Sequence, residues 1–332
     1  MMLKKADSPC MYQNPVFRLM GGLVLVNFAC WAVALLVSAT HPAMLASAFL
    51  AWTFGLRHAM DADHIAAIDT VTRKLMAQGR KPYSTGLFFS LGHSSVVILA
   101  TCALILLPVS DWLERWHLTG NLIGTTVSVS FLLLMGILNA ALVRSLIRAP
   151  STSAQIQPLG PVSWLLRPLM KIIGKEWQMF PLGFLFGLGF DTATEIGLLG
   201  LTTTQARTDL PPATILLFPL LFTAGMMLVD SLDTVLMVEA WRWSAPSSQR
   251  RKHYLLAVAS VSAATAFGVA IIEGIPLVSR VMSLPITLTG MMDFLSDHFQ
   301  ILGTGILATF LLMWSYVSLA GWKKPSRRQE NS

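Results

Sequence analysis

Eight apolar stretches, each of about 20 residues or more, dominate this 332-residue chain. A stretch of that length can cross the hydrocarbon core of a bilayer as one helix. Charged residues make up only 12% of the chain, against roughly a quarter in an ordinary soluble domain. We therefore predict an all-α polytopic membrane protein, a single membrane domain over residues 1–332, with spans near 18–38, 43–69, 84–108, 121–143, 180–201, 213–238, 254–274 and 300–320.

The basic residues predict the orientation, because cytoplasmic loops of membrane proteins are enriched in Lys and Arg. The segments on one side of the predicted spans hold 20 of the 24 basic residues, among them Arg73, Lys74, Arg80, Lys81, Arg144, Arg148, Arg250, Arg251 and Lys252. Both termini are predicted on that side, the cytoplasm. Residues 145–179 form the longest cytoplasmic linker, either a tether or an interfacial amphipathic helix. The topology accounts for the net charge of +7, so no nucleic-acid partner is expected.

The second predicted span ends in a cluster of ionisable residues, RHAMDADHI at 57–65. Ionisable groups at membrane depth are costly unless they pair, bind an ion or line a polar path. On a continuous helix Arg57, His58, Asp61 and His64 share one face, whereas Asp63 points away unless the helix is locally unwound. A divalent metal is the simplest ligand for two histidines and two aspartates. Arg57 is expected to pair structurally, because a guanidinium cannot ligate a cation.

Further polar groups lie in other spans. They are Asn27 in the first span, His93 and Ser94 in the third, Asp191, Thr192, Thr194 and Glu195 in the fifth, and Asp230, Ser231 and Asp233 in the sixth. His93 is a third candidate nitrogen ligand, and the acids outnumber the arginine, which calls for cations or protons. Hydrogen bonds and buried ion pairs remain the alternative explanation for each of these side chains, and protonation for the acids.

A short internal repeat connects two of these regions. FGLRHAMDADHI at 54–65 resembles FGLGFDTATEI at 186–196. With the orientation given above, the two copies run in opposite directions. This pattern indicates an inverted repeat relating spans 2–3 to spans 5–6, as in many secondary transporters.

Four signatures in order, RHAMDADHI, FSLGHSSVV, LGFDTATE and GMMLVDSLD, resemble those of the nickel/cobalt transporter family of bacterial high-affinity permeases. The resemblance implies that His58, Asp63 and His64 are essential for metal recognition, that His93 and the acids of the later signatures support them, and that Asn27 stands where ion preference is set. Met60 and Ser231 depart from the family, which usually has a branched or aromatic residue and Thr at those positions.

The function expected from the site and the resemblance is import of Ni²⁺, Co²⁺ or both across the bacterial inner membrane. The chain has no Walker A pattern, so secondary transport without an ATPase subunit or a cofactor is expected, and no enzymatic activity. Three alternatives remain at this stage: an exporter, an intramembrane metal-dependent hydrolase, and a proton-conducting or structural membrane protein. Metal preference and homo-oligomerisation stay open.

Overall fold

The computed structural model describes residues 14–106, 110–148, 174–189, 193–206, 210–244 and 248–279, with scattered positions between 290 and 312. These residues form α-helices α1 Pro15–Ser38, α2 Ala43–His58, α3 Ala62–Ala77, α4 Thr85–Leu106, α5 Ser110–Arg148, α6 Met179–Gly187, α7 Ala193–Ala206, α8 Pro212–Ile215, α9 Leu217–Ser244 and α10 Ser248–Ser279. A short 3₁₀ helix, Glu176–Gln178, precedes α6.

Among the described residues, five helical segments are long and apolar enough to cross a membrane: Pro15–Ser38, Thr85–Ile105, Thr119–Arg148, Pro212–Glu239 and Leu256–Ser279. The prediction of an all-α protein with several membrane spans is therefore confirmed. The number eight remains a prediction, since most of the last predicted span lies outside the described residues. Most of the predicted linker 145–179 also lies outside the described residues. Its first residues belong to α5, and its last ones to the 3₁₀ helix and the start of α6.

The second predicted span is two helices, not one. α2 ends at His58 and α3 begins at Ala62, and Asp61 between them has the extended backbone of an N-cap residue, with φ −67° and ψ 145°. Aspartate is favoured at a helix N-terminus, where a negative charge interacts well with the exposed N–H groups. Span 180–201 is likewise divided, into α6 and α7.

Helix α9 lies at the centre of the fold and packs against α1, α2, α3 and α4. Gly86 of α4 donates from its backbone N–H to Thr234 Oγ1 of α9, and Ser90, one turn after Gly86, donates to Asp230, one turn before Thr234. The two helices therefore run antiparallel. This arrangement brings the ionisable stretches of α3, α4 and α9 together in the interior.

Candidate metal site

Three histidines from three helices meet in the interior. His58 is the last residue of α2, His64 lies in the first turn of α3, and His93 lies within α4. One ring nitrogen of each falls within 4.8 Å of the others. All three side chains are buried. His58 and His64 lie on either side of the helix break, since Asp61 between them has an extended backbone.

Hydrogen-bond contacts fix the orientation of two of these imidazoles. His58 Nε2 lies 2.8 Å from His93 Nε2, and His93 Nε2 also lies 2.8 Å from Glu195 Oε1. On the other side of the His58 ring, Nδ1 lies 3.0 Å from both Asp61 Oδ2 and Thr194 Oγ1. Thr194 and Asp61 thus contact the nitrogen of His58 that faces away from His93, and a partner on that ring nitrogen sets the tautomer and direction of a metal-ligating histidine.

His64 differs from the other two histidines. Neither of its ring nitrogens makes a hydrogen bond with a described residue, although the side chain is 0% exposed. Its Nδ1 lies 3.8 Å from Asp230 Oδ2, and its ring packs at centroid distances of 4.6 Å and 4.7 Å from those of His58 and His93. A buried polar group without a partner costs about 1–3 kcal/mol, so the two ring nitrogens of His64 are the most available donors in this group for a ligand.

Carboxyl groups surround the three imidazoles. Asp61, Glu195 and Asp230 are buried, and Asp63 is half-buried. Asp61, Asp63 and Glu195 interact electrostatically with His58. Asp230 accepts a hydrogen bond of 2.6 Å from Ser90 and interacts with both His58 and Asp63. This donor set of nitrogen and oxygen suits a divalent transition metal.

The other candidates from the sequence lie at varying distances from this centre. Asn27 Nδ2 donates to the Ala224 carbonyl at 3.0 Å, and Asn27 Oδ1 accepts from Trp52 Nε1 at 3.0 Å. Ser94 donates to Met226 Sδ, whereas Arg57 is exposed at the end of α2 and its charge acts on Asp61. Ser231 and Asp233 are buried on α9. Asp191 and Thr192 lie outside the described residues.

Two functional candidates were missed by the sequence analysis. Asp69, at the end of the second predicted span, is buried and forms an ion pair with Arg73, which had been assigned to a cytoplasmic loop. The sequence signal was present, because an acid and a base four residues apart meet on one helix face.

Comparisons with known proteins are consistent with a metal site. The model of the NicO family, described as high-affinity nickel-transport protein, matches residues 44–320. No solved structure matches the chain.

Curated relatives carry nickel or cobalt in their names. The hydrogenase nickel incorporation protein HupN of Bradyrhizobium diazoefficiens is 42% identical over 311 residues, which are 89% of this chain and 81% of that protein. The high-affinity nickel transport protein of Cupriavidus necator is 40% identical over 306 residues, 88% and 87% of the two chains. The cobalt transport protein NhlF of Rhodococcus rhodochrous is 35% identical over 300 residues, 85% and 84%. The family model and these relatives together show that the chain belongs to the NicO family of high-affinity nickel-transport proteins.

Proposed function

We propose that this chain imports Ni²⁺, Co²⁺ or both across the bacterial inner membrane by secondary transport. The observation that carries the proposal is the group of three buried histidines, His58, His64 and His93, whose ring nitrogens lie within 4.8 Å of one another. The names of the relatives support nickel and cobalt as substrates.

In this proposal the ion is held by the three histidines together with Asp61 and Asp63. Thr194 orients the His58 ring through Nδ1, Glu195 lies beside Nε2 of His93, and Asp230 lies beside His64. Imidazole and carboxylate donors suit Ni²⁺ and Co²⁺, and at equal geometry nickel binds more tightly than cobalt. Asn27, Arg57, Ser94, Asp191, Thr192, Ser231 and Asp233 belong to the polar surroundings of the path.

The membrane potential supplies the driving force in this mechanism. Inward movement of two positive charges gains about 4.6 kcal/mol per 100 mV. The sequence contains no Walker A pattern, so the mechanism assigns no step to ATP hydrolysis. The positive-inside bias of the loops supports a cytoplasmic position of both termini.

We infer further that the site lies between two inverted repeats, α2–α3–α4 and α6–α7–α9. In each copy the first helix ends beside the site and a second helix begins a few residues later. In one copy α2 ends at residue 58 and α3 begins at 62, and in the other α6 ends at 187 and α7 begins at 193. Because α4 and α9 run antiparallel, copies built around these two helices are inverted with respect to each other.

Matching glycine contacts support the same repeat. A Cβ on Gly55 of α2 would meet the Phe222 carbonyl of α9, and a Cβ on Gly225 would meet the Trp52 carbonyl. The same exchange joins α6 and α4, where Gly183 meets the Phe89 carbonyl and Gly92 meets the Phe180 carbonyl. These contacts make Gly183 the counterpart of Gly55. The alignment of the two FGL sequences instead pairs Gly55 with Gly187, one helical turn later. Such repeats are associated with alternating access to a site near the midplane.

Accumulation of radioactive nickel in cells expressing the chain tests the proposal. We expect uptake that is lost in a His64→Ala variant, kept in a His41→Ala variant, and suppressed by excess cobalt more than by magnesium or manganese. His41 is a matched control because it is exposed. Lowered accumulation in cells with the wild-type chain would mean export, and accumulation unaffected by His64→Ala would remove this site from the mechanism.

A further inference from the structure

A second buried polar cluster lies where α3 packs against α9 and α10. It consists of Asp69 and Arg73 of α3, Asp233 of α9 and Ser262 of α10, which are 1%, 7%, 7% and 1% exposed. Asp69 follows His64 by five residues, about 7.5 Å along the helix axis. The cluster therefore lies on the side of the histidines that leads to the basic residues of the loop after α3, the predicted cytoplasmic side.

Two donors occupy one oxygen of Asp69. Arg73 Nη2 lies 2.7 Å from Asp69 Oδ2, and Ser262 Oγ donates to the same oxygen at 2.8 Å. Arg73 Nη1 also donates to the Val258 carbonyl of α10 at 3.1 Å. These bonds hold α3 against α10.

The remaining carboxylate oxygens of the cluster are not satisfied in this way. Neither Asp69 Oδ1 nor Asp233 Oδ2 has a hydrogen-bond partner within the part of the chain that the structure describes, although both are inaccessible to solvent. Asp233 interacts electrostatically with Asp69 and with Arg73. Arg73 thus pairs directly with Asp69, its charge also acts on Asp233, and each of the two carboxyl groups keeps one buried oxygen without a hydrogen-bond partner among the described residues.

We propose that Asp69 and Asp233 form a second, oxygen-donor site for the divalent ion between the histidines and the cytoplasm, and that Arg73 occupies this site electrostatically when no ion is there. The proposal rests on the transport function given above and names the place from which the ion is released. Carboxylate ligands suit Mg²⁺, Ca²⁺ and Mn²⁺, whereas imidazole suits nickel. An ion that reaches the two aspartates from the histidines therefore moves to weaker ligands, which favours its release.

This arrangement also explains why an arginine stands on the path of a cation. Without Arg73 the two carboxylates carry two negative charges that one divalent ion balances, and that ion would remain bound. The guanidinium competes for Asp69, so the ion leaves and Arg73 returns to the ion pair. In the conformation described here Arg73 bonds both α3 and α10, and the ion must displace it from Asp69.

Manganese binding to the purified full-length protein tests the site, because Mn²⁺ prefers oxygen donors and is detected by electron paramagnetic resonance. All variants carry His64→Ala, which disables the histidine site. We expect Arg73→Gln to bind one Mn²⁺ at least about tenfold more tightly than the chain with Arg73, since the competing charge is removed. Adding Asp233→Asn should abolish the gain. Arg80→Gln, at an exposed residue, is the charge-matched control and should leave Mn²⁺ binding unchanged.

Equal Mn²⁺ affinity with and without Arg73, or a gain that survives Asp233→Asn, would overturn the proposal. Should Arg73→Gln fail to fold, Asp233→Asn in the otherwise wild-type chain provides the second measurement. The affinity of this variant for Co²⁺ at the histidines should stay within about twofold of wild type, because Asp233 lies about one helical turn beyond Asp230, the residue beside His64. Its rate of nickel uptake into proteoliposomes should fall at least about tenfold. Unchanged uptake would contradict a release site.

The two proposals fail in different ways. If the wild-type chain imports nickel but Arg73→Gln gains no Mn²⁺ affinity, the release site is wrong and the transport function stands. If the Asp233-dependent Mn²⁺ site exists but the wild-type chain moves no nickel in either direction, the transport function is wrong, and the Asp69–Asp233 pair is a cation site without a role in release.

Discussion

Nε2 of His58 and Nε2 of His93 lie 2.8 Å apart, although the two residues belong to different helices. With a metal ion at the usual distance of about 2.0–2.1 Å from both atoms, the nitrogen–metal–nitrogen angle would be about 90°. Right angles between ligands are typical of tetragonal and octahedral sites, whereas zinc in proteins prefers tetrahedral ones. If both atoms bind the ion at this separation, we expect the site to favour nickel over zinc without any difference in donor type.

Cobalt spectroscopy checks this geometry. We expect the cobalt-loaded protein to show the weak visible absorption of a tetragonal or octahedral Co²⁺ ion, and zinc to displace nickel less readily than cobalt does. The measurement is an absorption titration with Co²⁺, followed by competition with Ni²⁺ and Zn²⁺. Intense tetrahedral bands would show that the two rings separate on binding and that the 2.8 Å contact does not set selectivity.

Thr194 provides a test of ring orientation. Its hydroxyl lies 3.0 Å from His58 Nδ1, and loss of an outer partner of a metal-ligating histidine typically costs 10–100-fold in affinity. We expect Thr194→Val to weaken Co²⁺ binding by about that factor, measured by the same titration. Thr204→Val on the same helix is the matched control, because the Thr204 hydroxyl is exposed and donates to the Gly200 carbonyl. Equal affinities of the two variants would show that Thr194 does not orient His58.

The helix crossings at Gly55 and Gly183 provide a test of the repeat. A Cβ at either position would meet a backbone carbonyl, of Phe222 or Phe89. We expect Gly55→Ala and Gly183→Ala each to destabilise the protein by about 1–3 kcal/mol, the usual cost of overpacking. Gly200→Ala, with nothing within 4 Å of the added carbon, should be neutral. Apparent melting temperatures in detergent provide the comparison, and a large loss at only one of the two crossings would argue against their equivalence.

Reporter fusions check the orientation. Because the basic residues concentrate on one side of the predicted spans, we expect a fluorescent protein fused to the C-terminus or inserted at Gly79 to fluoresce. Alkaline phosphatase, which is active only outside the cytoplasm, should be active when fused after residue 210 and inactive at the other two positions. The reverse pattern would place the termini outside and turn the Asp69–Asp233 pair toward the entrance.

The sequence predicts the fold class, because apolar length acts locally. It groups His58 and His64 on one helix face with Arg57, and that reason is wrong, because the two histidines lie on separate helices and Arg57 is exposed. It does not predict the interruption between them, since Ala59 to Asp61 includes neither Gly nor Pro, and the N-cap role of Asp61 becomes visible only in three dimensions. The burial of Arg73 was also missed. A basic residue after a span is ordinarily a loop residue, and only the packing of α10 over α3 encloses it.

The break between α2 and α3 has a mechanical consequence. The hydrogen bonds of one continuous helix would fix the angle between His58 and His64, but the chain passes from one to the other through the extended Asp61. An ion bound by both histidines would then crosslink α2 and α3 across the break and hold the two helices at one angle. Release of the ion would remove this constraint, so the atoms that bind the metal would also couple its presence to the angle between the two helices.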